Sequence, residues 1–390
     1  LGRVAAETAF VSGVPQFGYT LSRDKAGQII TRLGTVEGQS NQSVFAYDTV
    51  GRLTEVHNDG VLRATYGYDD NGNRLSRTTP TGNEVATFDD QDRLISINSV
   101  QYRYTPGGDL SLRIAGGDTT RFHYDAAGAL RWVLMPDGTR IDYVIDALGR
   151  RIGRKVDGAF THRFLYQATL RIAAELNEAG QVITRYVYGL QPNVPEYMIR
   201  AGVTYRLITD HRGSVRLVMR TSDGAIMQRL DYDEFGRVLA DSNSGFQPFG
   251  YGGGLYEPVT GFVRFGARDY DPVTGRWTSQ DPSRFSGGST NLYTYAANSP
   301  VSFADWDGHE VQGKHPRDNE YCRSIFRTMD NIRKSIEKRV RELEEDRLNL
   351  PETICGSSEP RRGTRQGHRE LIEIDRENLR KLQEEFDELC

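Results

Sequence analysis

The sequence predicts a mainly β protein built from repeated antiparallel hairpins, followed by a small α-helical domain. A short motif containing an aromatic residue and a glycine recurs through the first part of the chain. All of the 20 tyrosines except Tyr321 lie in residues 1–309, where glycine and short alternating apolar runs are also frequent, and this composition is typical of strands and turns. Beyond residue 309, Glu, Arg and Leu predominate and the apolar residues recur at helical spacing.

Each copy of the motif predicts a strand, a tight turn and a returning strand. The aromatic residue ends one strand, an acid caps the turn by binding the backbone two residues on, and glycine supplies a positive φ. A single hairpin of this size is not stable alone, so many copies should stack in register. Copies begin at Tyr47, Tyr68, Phe88, Tyr104, Tyr124, Tyr143 and Tyr232. The turn residues include Asp48 and Gly51, Asp69 and Gly72, Asp125 and Gly128, and Asp233 and Gly236.

These repeats resemble the YD repeats of RHS proteins over residues 1–308. The block "YGGGLYEPVTGFVRFGARDYDPVTGRWTSQDP", followed by "NLYTYAANSPVSFADWDG", is similar to the repeat-associated core of that family. The resemblance implies a spiral β shell around a hollow over residues 1–245 and a core plug over 246–309. It also implies a variable helical domain over 310–390, which in this family is often a toxin. The start at Leu1 rather than Met suggests a fragment. Because shells of this family generally contain more repeats than this chain, the resemblance implies the C-terminal part of a longer shell.

The resemblance implies a polymorphic toxin, in which the shell encloses a C-terminal effector and releases it by autoproteolysis against competing or host cells. Such a protein is secreted or displayed at the cell surface. Its expected partners are a cognate immunity protein and a secretion apparatus or N-terminal delivery module outside this chain. The alternative is a non-enzymatic scaffold at the cell surface, whose repeats bind a glycan or a protein partner and whose helical tail is structural.

The charge balance limits the choice of partners. Lys and Arg number 49 against 53 Asp and Glu, so no overall polarity favours nucleic acid or a membrane surface. No apolar run is long enough to predict a membrane span. No cofactor and no metal-ligand spacing are predicted, and nucleic acid is expected as a partner only if the tail is a nuclease.

The core block contains three aspartates that could be catalytic or could belong to solvated turns. Asp271 opens "DPVTG", an ordinary turn, and is therefore expected to be structural. Asp269 and Asp281 lie 12 residues apart on either side of that turn, so a hairpin could bring them together. Two close carboxylates do not both ionise readily, so one would act as an acid and the other as a base, with Arg268 holding one of them charged.

The resemblance also implies self-cleavage between core and tail by Arg268, Asp269 and Asp281. In this family the core usually ends in Asp-Pro-x-Gly-Leu, with the cut after the Leu. Here the motif reads "DWDGHE", so Trp306 stands in place of Pro and His309 in place of Leu. The expected cleavage junction is the bond between His309 and Glu310.

The tail predicts a helical hairpin over residues 319–349 and 366–389, because two apolar stripes are separated by Pro351 and a Gly- and Ser-containing segment. If the two helices are antiparallel, Cys322 lies near Cys390, which makes these two the candidate disulfide pair, with Cys355 at the loop. In a reducing compartment they would remain thiols.

A basic stretch in the tail, "PRRGTRQGHRE" at 360–370, is a candidate catalytic site. A cationic loop that leads into a helix can hold phosphate, and a histidine can move a proton near neutral pH. The candidate residues of this ribonuclease-like or phosphate-ester site are Arg365, His368 and Glu370. The alternative is a solvated helix face whose charges are balanced by Glu373, Asp375 and Glu377.

Overall fold

The computed structural model describes residues 4–11, 13–189, 191–284, 290–309, 332, 334–336, 340 and 365–389. The chain forms two compact units, one of residues 3–312 and another that contains residues 313–390. The division of the first unit into repeats and core at residue 245 stays a prediction.

The described part of residues 3–312 contains a sheet of 23 antiparallel strands, in which each strand pairs with the next one along the chain. The first twelve are β1 (Ala6–Val11), β2 (Val14–Arg23), β3 (Ile29–Val36), β4 (Gln39–Tyr47), β5 (Leu53–Asn58), β6 (Val61–Tyr68), β7 (Arg74–Thr79), β8 (Gly82–Phe88), β9 (Leu94–Ile97), β10 (Val100–Tyr104), β11 (Leu110–Ala115) and β12 (Asp118–Tyr124). The others are β13 (Leu130–Leu134), β14 (Arg140–Ile145), β15 (Arg151–Val156), β16 (Ala159–Tyr166), β17 (Ile172–Leu176), β18 (Val182–Val187), β19 (Tyr197–Arg200), β20 (Val203–Thr209), β21 (Val215–Arg220), β22 (Ile226–Tyr232) and β23 (Val238–Asp241). The predicted fold of antiparallel hairpin repeats is confirmed.

A second antiparallel sheet belongs to the core block. Among the described residues it has four strands, each paired with the next: β24 (Leu255–Tyr256), β25 (Val263–Phe265), β26 (Arg268–Asp271) and β27 (Arg276–Trp277). Short 3-10 turns lie at Tyr251–Gly253 and Ala296–Asn298.

The repeat turns are closed by their own acids. The carboxylate oxygen Oδ1 of Asp48 accepts the N–H groups of Val50 (3.1 Å) and Arg52 (2.8 Å), and its Oδ2 pairs with Nε of Arg52 (2.6 Å). Asp69, Asp125 and Asp233 accept a backbone N–H in the same way. The turn glycines have the positive φ that this geometry requires, at 90° for Gly51, 82° for Gly72, 77° for Gly128 and 91° for Gly236.

The tyrosine that opens a repeat ties it to the preceding one. The hydroxyl of Tyr68 donates to the carbonyl of Leu53 (2.8 Å), and the guanidinium of Arg52 lies 5.0 Å from the centre of the Tyr68 ring. The guanidinium of Arg150 lies at a similar distance over Tyr166. A buried hydroxyl with a partner and a cation over an aromatic face both stabilise the stacking of neighbouring hairpins.

The core block binds the repeat turns through their backbone carbonyls. Buried or partly buried side chains of the block donate these hydrogen bonds, so the positions of the turns and of the core are coupled. The pairs are Asn298 with Gly72 (2.7 Å), Tyr293 with Gly108 (2.7 Å) and Arg264 with Gly149 (3.1 Å). Large aromatic side chains fill the interior of the block, including Tyr251, Phe265, Tyr270, Trp277 and Tyr295.

The second unit contains the helix α1 (Arg365–Leu389), so the helix predicted at 366–389 is confirmed. Of the helix predicted at 319–349, the described residues 332, 334–336 and 340 are helical. Cys322 and Cys390 lie outside the described residues. Among the residues described, no helix is both long and apolar enough to cross a membrane.

Gly236 and Gly138 offer a matched test of how tightly the core packs on a turn. Both have φ near 90°, but a Cβ at Gly236 would lie 2.5 Å from the ring of Tyr251, whereas a Cβ at Gly138 meets nothing within 4 Å. We expect Gly138→Ala to lower the free energy of unfolding by about 1–2 kcal/mol, because of the positive φ alone. Gly236→Ala should cost about 2–3 kcal/mol more because it also overpacks the core. Urea unfolding of both variants measures this difference, and equal losses would contradict the close packing.

Candidate functional site

The end of the core block, residues 305–309, lies across the tight turn between β25 and β26. We call these residues the junction segment. The N–H of Ala267 donates to the carbonyl of Asp307 (2.9 Å). A Cβ at Gly308 would lie 2.5 Å from a carbonyl oxygen of the turn, and a Cβ at Gly266 would overlap the Asp307 carbonyl. The two backbones therefore touch, and glycine is required on both sides of the contact.

Arg268, at the start of β26, binds the junction segment and two carboxylates. Its Nε donates to the carbonyl of Gly308 (2.6 Å). Its Nη2 lies 3.0 Å from Oδ2 of Asp281 and 3.2 Å from Oδ2 of Asp305. The guanidinium is 4.1 Å from the centre of the Trp277 ring, and the residue is 3% exposed. One buried cation thus fixes a backbone carbonyl and two acids, and the predicted contact of Arg268 with a carboxylate is made by Asp281.

Asp305 holds the backbone of the junction segment from the inside. Its Oδ1 accepts the N–H groups of Gly308 (2.8 Å) and His309 (3.2 Å), and Oδ1 of Asp307 accepts the same His309 N–H at 2.9 Å. Burial raises the pKa of the Asp305 carboxyl to about 8; Arg268 opposes this rise, while the neighbouring Asp307 adds to it. A carboxyl with such a pKa is protonated at neutral pH.

Asp269 lies between two arginines rather than against Asp281. Its Oδ1 is 2.7 Å from Nη2 of Arg151, its Oδ2 is 2.9 Å from Nη1 of Arg264, and the residue is 1% exposed. The register of the hairpin explains this position. Asp269 faces Arg264 across β25 and β26, and on the other side its carbonyl accepts the N–H of Thr278 (2.9 Å). Asp281 lies three residues beyond that point.

A cavity of about 910 Å³ borders the junction segment. The core contributes Arg268, Asp281, Asp307 and His309 to its wall, and repeat turns such as the one at Gly128 supply other parts of the wall. Asp269 is not among the lining residues. The exposed residue His309 therefore borders an open space next to a cation and two carboxyl groups.

Several predicted site residues fall outside this region. Arg365 and His368 belong to α1, but their side chains are not among those described. Glu370 is a half-buried residue of the same helix. Glu310 lies outside the described residues. In the described part of the chain, no group of three or more His, Cys, Asp or Glu side chains is arranged to hold a metal ion.

Sequence reasoning missed three residues of this site. Arg151 belongs to a repeat 118 residues before Asp269, and no local pattern links the two. Arg264 precedes Asp269 by five residues, and its role follows from the strand register. Asp305 is part of the "DWDG" motif, but the motif alone does not indicate that this acid binds Arg268 and the backbone of the junction segment.

Comparison with known proteins identifies the family of the shell. A family profile described as Teneurin YD-shell matches residues 2–301. The chain belongs to the teneurin YD-shell family. A bacterial protein of the RHS type, the nuclease WapA, is also similar to this YD-shell chain. The predicted relationship to YD-repeat proteins of the RHS type is therefore confirmed.

Curated relatives come from animals and bacteria. Mouse Teneurin-3 is 31% identical over 303 residues, which cover 73% of this chain and 11% of that protein. Human Teneurin-4 is 30% identical over 299 residues, with the same two coverages. The tRNA3(Ser)-specific nuclease WapA of Bacillus spizizenii is 29% identical over 271 residues, which cover 66% of this chain and 11% of that protein. The YD-shell chain thus spans about a tenth of the length of these relatives.

Solved structures with a similar arrangement include the crystal structure of TcdB2-TccC3-TEV, at 17% identity and a TM-score of 0.39. The similarity covers 78% of this chain and 21% of that one. The crystal structure of TcdB2-TccC3-Cdc42 is similar at 16% identity and a TM-score of 0.36.

The two candidate aspartates should respond differently to neutralisation. Asp269→Asn leaves Arg151 and Arg264 buried without their counter-ion, so we expect a loss of about 3–5 kcal/mol in the free energy of unfolding. Asp281→Asn should cost about 1–2 kcal/mol, because Arg268 keeps the Gly308 carbonyl and Asp305 can ionise in place of the lost carboxylate. Urea unfolding of the two variants measures both values. A loss of no more than about 1 kcal/mol in Asp269→Asn would show that its ion pairs with the two arginines do not stabilise the fold.

Proposed function

We propose that this YD-shell chain cuts itself once at the junction and thereby frees the domain that begins at residue 310 as an effector. One observation carries the proposal: Arg268 donates a hydrogen bond to the Gly308 carbonyl while it pairs with the Asp281 carboxylate. These groups border the same cavity as His309. The change in composition at residue 309 and the similarity to the WapA nuclease support it.

The proposed reaction is hydrolysis of the peptide bond between His309 and Glu310. Water adds its oxygen to the carbonyl carbon of His309, the C–N bond breaks, and the nitrogen of Glu310 leaves with the proton taken from water. Asp281 is suited to be the base, because its carboxyl group lies beside Arg268 and faces the cavity. The enzyme and its substrate are one chain, so each molecule reacts once.

Arg268 and Asp269 have different roles in this proposal. Arg268 holds the carbonyl of the residue before His309, which fixes the reacting bond relative to the cavity. Asp269 pairs with Arg264 on the neighbouring strand and so holds the hairpin that carries Arg268. Asp269 is therefore proposed to position the site without contact to the reacting atoms.

The proposal extends to the context in which the effector would act. We propose that the protein is secreted or displayed at the cell surface, acts against a competing or host cell, and is neutralised in its producer by an immunity protein. Within the tail, Arg365, His368 and Glu370 remain the proposed residues of a ribonuclease-like site. No further partner follows from the residues described.

A non-cleaving surface scaffold is the second candidate function. The family match favours it, because that match covers residues 2–301 and ends before the junction segment. In this case the junction contacts would serve only to fasten the end of the core.

Self-cleavage is tested with the purified chain and one matched pair of variants. We expect the wild type to give two fragments that meet at His309–Glu310, and Asp281→Asn to stay whole or to react at least about 100-fold more slowly. The control is Asp223→Asn, whose exposed carboxylate pairs with Arg220 away from the junction, and it should be cut like the wild type. Intact mass and gel analysis give the result. If the wild type stays uncut, self-cleavage is contradicted and the surface scaffold becomes the better supported of the two functions.

The effector is tested by expressing the full chain inside a bacterial cell without an immunity protein. We expect the wild type to stop growth and the uncut Asp281→Asn variant to be tolerated, because the tail stays attached. His368→Ala should be cut normally yet tolerated. Growth curves and gels from the same cultures measure both properties. Normal growth with fully cut wild type would contradict the toxin reading while leaving self-cleavage intact.

A further inference from the structure

Arg74, at the start of β7, is a buried cation without a carboxylate partner. The residue is 6% exposed, and within the described part of the chain it forms no ion pair. Its guanidinium lies 4.4 Å from the centre of the Phe235 ring and 5.6 Å from that of Tyr66, and its Nη2 donates to the carbonyl of Val273 (2.9 Å). Buried charges are normally compensated by an opposite charge, so the surroundings of Arg74 favour an additional anion.

The hydrogen bonds of Arg74 are also incomplete. Its Nη1 is buried and has no partner among the described residues. Arg276 is another buried arginine without an ion pair in that part of the chain, but its Nη1 donates to Asn73 (2.7 Å) and its Nη2 to the carbonyl of Asp92. Arg276 thus places both terminal nitrogens on acceptors, whereas Arg74 leaves one of them unbound.

A cavity of about 10 Å³ lies beside Arg74, between β7, β8 and β9 and the core residue Thr274. Arg77 also lines this cavity, and its buried Nε is a second donor that has no partner among the described residues. A space of this size holds one water molecule or one monatomic ion. Two guanidinium groups, each with an unbound N–H group, therefore border a space for a single small ligand.

The charges around the cavity favour an anion. Arg74, Arg77 and Arg237 supply three positive charges. The carboxyl groups in contact with them, among the residues described, are Glu84, which pairs with Arg77 (3.4 Å) and Arg237 (2.8 Å), and Asp233, which pairs with Arg77 (3.3 Å). Three cations thus face two acids, and one monovalent anion would balance the cluster.

The rest of the wall suits an anion better than a water molecule. Part of it is apolar, with side chains such as Ala86 and Leu94. Glu84 also lines the cavity, but Arg237 already binds both of its oxygens at 2.8 Å. A water molecule would accept hydrogen bonds from the two arginines, yet it also needs acceptors for its own hydrogens, and a buried water usually makes about three hydrogen bonds. An anion needs donors only.

We propose that this cavity is a binding site for a monatomic halide, chloride in the first place, held by Nη1 of Arg74 and Nε of Arg77. The halide supplies the counter-ion that Arg74 lacks. Polyatomic anions are too large for a cavity of about 10 Å³. Both arginines lie in the repeats, far from the junction in sequence, so the proposal is independent of self-cleavage.

The halide would strengthen the attachment of the core to the repeats. Nη2 of Arg74 and Nη2 of Arg237 both donate to the carbonyl of Val273, in the core turn between β26 and β27. Arg74 can make this contact only while it is buried, and a bound counter-ion offsets the cost of burying its charge. The stability of the YD-shell unit should therefore depend on the halide concentration.

The test is urea unfolding of the full chain in mixtures of sodium chloride and sodium gluconate at constant ionic strength, which keeps screening unchanged. The urea midpoint of the wild type should rise as chloride replaces gluconate. The ratio of folded to unfolded chain should reach roughly ten times its chloride-free value when chloride is at ten times its dissociation constant. Bromide should act in the same way.

Two variants and a control separate the site from general salt effects. Arg74→Met removes the charge and the donors, and Ala86→Val fills the cavity while both arginines stay in place. Both variants should lose the chloride-dependent rise. The control is Arg121→Met, an exposed position on β12 that does not line the cavity, and it should respond like the wild type. The width of the ³⁵Cl NMR signal measures binding directly, and the wild type should broaden it more than Ala86→Val does.

The outcomes separate the halide from its alternatives. A wild-type midpoint that does not change with chloride overturns the proposal and leaves water as the ligand of the cavity. An equal chloride response in all four proteins overturns it as well, because the response is then a general salt effect. A ³⁵Cl signal that the wild type and Ala86→Val broaden equally also contradicts the site. If Arg74→Met fails to fold, Ala86→Val and the ³⁵Cl signal still decide.

Discussion

The pairing of Asp269 with Arg151 and Arg264 is the constraint on which the junction depends. It joins β15 of the repeat sheet to the core hairpin of β25 and β26 through charges that are almost wholly buried. Arg264 also donates to the carbonyl of Gly149 in a repeat turn. A buried charge without its partner is costly, so removing one of these three side chains leaves at least one buried charge poorly compensated. These contacts fix one face of the hairpin on the repeats, and the other face meets the junction segment.

Arg268 and Asp269 are neighbours in the sequence but act on opposite sides of the hairpin. Successive side chains of a strand alternate between its two faces, so Asp269 contacts the repeats while Arg268 contacts Gly308, Asp281 and Asp305. The alternation explains how one short stretch of β26 can serve both stability and the proposed chemistry. It also means that a loss of cleavage in an Asp269 variant would by itself not identify a catalytic acid, since the fold would be weakened at the same time.

Local features of this protein could be predicted from the sequence, and contacts between distant segments could not. The repeat turns follow from an acid that binds its own backbone and a glycine with positive φ, and both effects act within five residues, as at Asp48 and Gly51. The approach of Arg268 to Asp281 follows from the core hairpin. Asp269 and Asp281 were expected to meet across the hairpin. The observed register pairs Asp271 with Arg276 and sets Asp269 beside Thr278 instead, so the two acids do not meet. Arg151 reaches the site only because the repeats stack, which no local pattern encodes.

The departures in "DWDGHE" leave the backbone contacts of the junction segment in place. Trp306 lacks the fixed φ of a proline, but its Nε1 donates to the carbonyl of Arg212 (3.0 Å), so a hydrogen bond holds the chain at this position. His309 is exposed and borders the cavity, so the identity of its side chain is not restricted by close packing. Asp305 and Gly308, which make the buried contacts, are the residues that the motif retains. The substitutions therefore alter the surroundings of the expected bond rather than the way the segment is held, and the chemistry next to His309 is where a difference in reactivity would arise.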